Sequence, residues 1–301
     1  SPELRGMFEE LKRQWRSGGM VIRLVLVNAT VFVALHLINL PFWAMRQPGP
    51  DILGWLWSFS DLGALLRKPW TPVTYMFTHW GFSHIFFNML LLWFIGRLFE
   101  DLLGGRRVLG NYLLGGLSGF ALYLIGYNLL PVYADEVGGS TIHGASASVM
   151  AVLVGIAAYR PDLEVRLLLF GTVRLKWIAL VLFLIDLVSV QTSPNSGGHL
   201  AHIGGALYGY LASMRLRQGS DWSLSFVNGI EKLFSFLRRD RGPRMRVEKR
   251  YTGKRGRSDA DFNAAKRDQQ ARIDAILDKI SRSGYDSLSK EEKDVLFEAG
   301  K

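Results

Sequence analysis

The strongest constraint on this chain is the separation of its apolar residues from its charges. Long apolar runs fill residues 21 to 214, and residues 215 to 301 are densely charged. Several runs reach the ~20 residues that an α-helix needs to cross a hydrocarbon core. They are continuous rather than alternating, which excludes a membrane β-barrel. Backbone groups find no water inside a bilayer, so each such segment must satisfy its own hydrogen bonds as a helix. The expected fold class is an all-α membrane protein with a soluble helical C-terminal tail. The net charge of +10 would suggest nucleic acid in a soluble chain. Here the positive-inside rule accounts for it, and no nucleic-acid partner is expected. The chain has no cysteine, so disulfide and thiol chemistry are excluded. No small-residue cleavage site follows the first apolar run, so no signal peptide is expected.

The apolar runs predict six spans, at about 21–40, 81–99, 108–130, 146–159, 177–190 and 200–214. Residues 1–20 form an N-terminal cytoplasmic segment and residues 21–216 the membrane domain. Arg23 and Asn28 are expected to snorkel from the start of the first span. Residues 41–78 hold Trp43, Trp55, Trp57 and Trp70 between prolines and glycines. That composition suits a loop half-sunk in the outer leaflet, because Trp prefers the membrane–water interface. The fourth span is short, so one of its ends should lie inside the membrane plane. The loops after spans two, four and six carry the Lys and Arg clusters, while the loop after span three carries Asp135 and Glu136 and no base. Both termini are then expected in the cytoplasm and Ser146 toward the outer leaflet. The expected location is a bacterial cytoplasmic (inner) membrane. Residues 217–258 read as an amphipathic helix followed by a basic linker, the helix lying on anionic lipid or packed on the protein. Residues 259–301 read as two helices broken at Ser283-Gly284, with Ser289 and Glu291-Glu292 able to cap the second.

Polar residues inside spans are costly and by default mark function. His84 and Asn88 lie four apart on one face of the second span. With His79, Ser146 and His202 they converge at similar depth. Peptide hydrolysis by serine needs a nucleophile, a base and donors for the oxyanion. Ser146 opens the fourth span behind Gly144, and a helix start favours negative charge. His202 can be the base. Gly205 and Gly209 share its face and would let the sixth span approach the fourth. A serine at a helix start is more often an N-cap, but the converging histidines and asparagine favour the nucleophile. Ser148 is assigned to packing and His199 to the outer loop. Asp186 is assigned a structural hydrogen bond rather than a third catalytic place. No metal and no cofactor is expected, because there is no His-Glu-x-x-His and neither cysteine nor carboxylate stands beside the histidines.

Three segments carry a resemblance. Gly144-Ala145-Ser146, Ala201-His202-x-x-Gly205-x-x-x-Gly209 and His79-x4-His84-x3-Asn88 resemble the signature elements of the rhomboid family of intramembrane serine proteases. The turn Gly96-x3-Glu100-x3-Gly104 is also similar. The resemblance covers residues 21–215 and implies a six-transmembrane-helix rhomboid-like bundle. It implies Ser146 as nucleophile and His202 as general base in a water-accessible dyad. His84 and Asn88, with the Ser146 N–H, would form the oxyanion hole, with His79 and Gly144 in support. Its implied partners are the lipid bilayer and transmembrane protein substrates, cut near their outer end without metal or ATP. Ala147 stands where the family usually has Gly, Met150 where it often has Tyr, and Trp70-Thr71 where it has Trp-Arg. Ala147 keeps open a rival reading, a catalytically silent rhomboid-like protein that binds or escorts membrane clients. A transporter would want a continuous polar path, which the inner halves of the spans lack.

Overall fold

The computed structural model describes residues 12–167, 171–237 and 259–299. The chain divides into two units, residues 1–240 and 241–301. In the first, the long helices are α1 (Gly19–Ala44), α2 (Phe82–Leu103), α3 (Gly105–Leu129), α4 (Ser146–Tyr159), α5 (Leu175–Thr192), α6 (Ser196–Arg217) and α7 (Trp222–Leu237). Four of them, α1, α2, α3 and α5, are long and apolar enough to cross a membrane. These apolar helices point to a membrane protein. Helix α4 is apolar but shorter. Helix α6 has 22 residues, diluted by glycine, histidine and arginine.

Helix α4 is the centre of the unit. A helix apolar on every face is stable only when surrounded, and ten of the 14 residues of α4 are buried. It packs against α2, α3, α5 and α6. The contact with α6 is close because Gly205 and Gly209 face it. A Cβ on Gly205 would run into the Ala147 carbonyl oxygen, and one on Gly209 into that of Ala151. Helix α5 is the opposite case. Of its residues only Leu175, Ala179 and Asp186 are buried, while Val181, Leu184, Ile185, Leu187 and Val188 lie exposed.

The segment between α1 and α2 forms short helical turns rather than one span. Its strand β1 (Ser58–Phe59) pairs antiparallel with β2 (Thr141–Ile142) just before α4. Tyr75 donates to the Gly116 carbonyl at 2.6 Å and Tyr112 to the Met76 carbonyl at 2.8 Å, which ties this segment to α3. Trp55 and Trp70 stack at 5.6 Å. Asn28 does not snorkel: it is fully buried and its amide donates to the Leu24 carbonyl and the Tyr112 hydroxyl. The Glu100 carboxylate accepts the Met20 and Val21 N–H groups at 2.6 and 3.2 Å, capping the start of α1. Between α4 and α5, β3 (Glu164–Leu167) and β4 (Gly171–Arg174) pair antiparallel.

Helix α7 is packed on α3 along its first half. Arg107 pairs with Asp221 at 2.6 Å, and Ser223 accepts from Asn111 at 3.0 Å. Its far end leaves Leu233, Phe234 and Phe236 exposed. The basic linker expected to follow lies outside the described residues. In the second unit, α8 (Asp259–Ser283) ends where expected, and Gly284 takes φ +78° before α9 (Lys290–Ala299). Ser289 and Glu292 cap α9 reciprocally, Ser289 N–H to the carboxylate at 2.7 Å and Glu292 N–H to the hydroxyl at 3.3 Å. Lys279 on α8 pairs with the same carboxylate at 2.9 Å.

The glycine contact makes a prediction. Gly209→Val should destabilise the protein by about 1–3 kcal/mol or more, since α4 backbone must move. Gly229 on α7 has open space at its Cβ position, and Gly229→Ala should stabilise by about 0.5–1 kcal/mol through helix propensity. Thermal midpoints in detergent read both.

Candidate active site

The site is built on the loop that feeds α4. Gly144 has φ +113°, a backbone conformation that strains any residue with a Cβ. A Cβ there would also come within 2.6 Å of the His84 ring. The Gly144 N–H donates to the Tyr75 carbonyl at 2.9 Å. The next amide, Ala145 N–H, donates to His79 Nε2 at 3.1 Å. His79 is fully buried, and accepting on Nε2 sets its neutral form as the Nδ1–H tautomer. These bonds hold the loop so that Ser146 becomes the first residue of α4. No side-chain cap closes this helix start, so the Ser146 hydroxyl is not spent as an N-cap.

The hydroxyl points across to α6. Ser146 Oγ lies 2.6 Å from His202 Nε2. On the other side of the ring, His202 Nδ1 lies 2.8 Å from Asp186 Oδ1 on α5. The same oxygen lies 2.8 Å from His199 Nδ1. Asp186 is buried. The expectation that no carboxylate stands beside the histidines is therefore corrected: helices α5 and α6 bring together residues 13 and 16 apart in sequence. His199 belongs to the helix of His202, not to the loop before it.

His84 and Asn88 line one cavity of about 640 Å³ with Ser146, Met150, Asp186 and His202. The Asn88 amide donates to the His84 carbonyl at 2.8 Å. His84 meets His79 edge-on, with ring centroids 5.1 Å apart. His143 was not singled out from the sequence. It lines the same cavity, stacks on Trp57 at 4.3 Å and meets His84 at 5.7 Å. Its signal was present in the sequence, a histidine three residues before Ser146 in the small-residue loop. Ser148 faces away: it is buried, and a Cβ on Gly116 of α3 would meet its hydroxyl at 2.6 Å. The Ala147 methyl also faces α3, 2.7 Å from where Gly119 would carry a Cβ, and it does not line the cavity.

In chemical terms the cavity holds a hydroxyl bonded to an imidazole, a helix start that favours negative charge, and polar side chains on the facing helix α2. A family model described as Rhomboid domain matches residues 66–219, slightly more than half of the chain. The chain belongs to the rhomboid family. Residues 258–301 match a second model, a family of unknown function (DUF6576). Among curated proteins, RHOMBOID-like protein 12, mitochondrial, of Arabidopsis thaliana is 25% identical over 69% of this chain. Presenilin-associated rhomboid-like protein A, mitochondrial, of Danio rerio is 29% identical over 60% of it. Rhomboid protease GlpG of Salmonella typhi is 28% identical over 41% of it. The matches span 62%, 46% and 48% of those three relatives' own lengths. Two of the three are mitochondrial by name, so these rhomboid relatives do not favour the bacterial inner membrane expected from the sequence.

His79 gives the prediction for this site. His79→Ala would leave the buried Ala145 N–H without its acceptor, at a cost of about 1–3 kcal/mol. The thermal midpoint should fall accordingly. His79→Gln, which can present an oxygen there, should recover part of the loss.

Proposed function

We propose that this rhomboid is an intramembrane serine endopeptidase. The observation that carries the reading is the 2.6 Å contact between Ser146 Oγ and His202 Nε2. A serine hydroxyl hydrogen-bonded to an imidazole nitrogen inside a polar-lined cavity is the starting geometry of acyl transfer. His202 takes the hydroxyl proton as Ser146 Oγ attacks the scissile carbonyl. The Ser146 N–H at the start of α4, with His84 and Asn88, would stabilise the oxyanion, each such donor being worth ~10²–10³ in rate. His202 then protonates the leaving amine, the acyl-enzyme forms, and water activated by the same imidazole releases it. The step needs no metal and no nucleotide.

The rest of the reading concerns the membrane. Helices α1 to α6 would make six spans, with both termini on the cytoplasmic side, as the Lys and Arg of alternate loops favour. Ser146 would lie below the outer surface, where the shortness of α4 leaves room for a wet cavity. Substrates would be transmembrane segments cut near their outer end. They would arrive sideways from lipid between α2 and α5, both of which line the cavity. Small residues and a weak helix near the cut would let the substrate unwind into an extended strand. Ala147, the residue that kept a silent client-binding protein in play, turns its methyl to Gly119, which supports the enzyme reading.

Reconstitution in liposomes with a reporter carrying one transmembrane segment tests the proposal. The parent should release two fragments split near the outer end of that segment. Ser146→Ala and His202→Ala should each lower the rate about 10³-fold or more. A folded parent that binds the reporter and leaves it intact would contradict the reading, as would undiminished cleavage by Ser146→Ala.

A further inference from the structure

Among the described residues Asp186 is the one carboxylate in contact with the site, and the proposed reaction does not use it. Its Oδ1 lies 2.8 Å from Nδ1 of both His199 and His202. A carboxylate oxygen accepts and does not donate, so each imidazole presents a proton on Nδ1. For His202 this leaves Nε2 bare, and Nε2 is the atom facing Ser146 Oγ. The opposite tautomer would place a proton between Nε2 and the serine and could not remove one. A divalent cation held by these three groups fits less well. Ligand atoms at about 2.0 Å from a tetrahedral ion stand about 3.3 Å apart, and the two 2.8 Å spacings are hydrogen-bond lengths.

We propose that Asp186 is a positioning residue that holds His202 in the Nδ1–H tautomer, with His199 as the second donor that keeps the carboxylate in place. The proposal rests on the reading of His202 as the base. It also links that base to α5. The other buried residues of this helix, Leu175 and Ala179, lie in its first two turns, and Asp186 is the buried residue that seats its later half against α6. The proton arrangement at His202 thus depends on α5 lying in place.

The test compares the parent with Asp186→Ala, both purified in detergent and shown to be folded by their melting curves. Reaction with a small fluorophosphonate reads nucleophile activation without requiring a substrate to pass α5. Nitrogen-15 NMR of histidine-labelled protein, with the His202 signals assigned by their loss in His202→Gln, reads the tautomer directly. We expect His202 protonated at Nδ1 in the parent. In Asp186→Ala we expect that form lost and the second-order labelling rate of the folded protein lowered about 10²-fold or more. A role in packing alone would shift the melting curve and leave the tautomer unchanged. Parent-like labelling in Asp186→Ala, an unchanged Nδ1–H signal, or Nε2 protonation in the parent would each overturn the proposal. If Asp186→Ala does not fold, the parent spectrum still decides between the two tautomers. A folded parent that fails to label would count against the protease reading, while its tautomer signal still reports on Asp186.

Discussion

The close approach of α4 and α6 is the contact on which the rest of the structure depends. Glycine faces on α6 let its backbone come up against the Ala147 and Ala151 carbonyls. In a membrane there is little hydrophobic drive between helices, so association relies on packing of this kind. Under the proposed function the same contact sets the chemistry. His202 sits on the glycine face of α6 and Ser146 at the start of α4, so the helix packing distance becomes the 2.6 Å between Oγ and Nε2. A side chain at Gly205 would separate the helices and the dyad together.

The surrounding polar groups follow from burial. A polar atom kept from water costs free energy unless it is paired. His79 answers the Ala145 amide, Tyr75 the Gly144 amide, and Asp186 the two imidazoles of α6. Each bond fixes Ser146, His202 or a group next to them, without touching Ser146 Oγ or His202 Nε2. The supporting cast is thus assembled from the loop before α2, the loop before α4, and α5. The cavity lies between α2 and α5, and Leu182, Ile185 and Asp186 of α5 line it.

Much of this was legible in the sequence because membrane burial leaves a coarse record. Uninterrupted apolar runs located the long helices, and the small residues of α6 pointed to the face that meets α4. Of the polar residues in the spans, His84, Asn88, Ser146, Asp186 and His202 line one cavity, and an intramembrane polar group stands out in the sequence because its burial is costly. What was not legible depends on helix rotation and on short-range pairing. Asp186 shares no motif with His199 and His202, and only the relative rotation of α5 and α6 puts its oxygen between them. Asn28 looked like an interfacial residue, but its partner Tyr112 lies 84 positions away. The strands β3 and β4 are four residues each, too short for an alternating pattern to stand out from a charged loop. His143 was overlooked because a loop histidine lacks the periodicity that singled out His84 and Asn88.

The proposed function stands on Ser146 as an activated nucleophile. Peptide mapping by mass spectrometry after treatment with a fluorophosphonate tests it most directly, because it reports the labelled atom's residue as well as the reaction. One adduct is expected, on Ser146, absent when His202 is replaced by alanine. A folded protein that carries no adduct, or carries it on Ser148 or another serine, would contradict it.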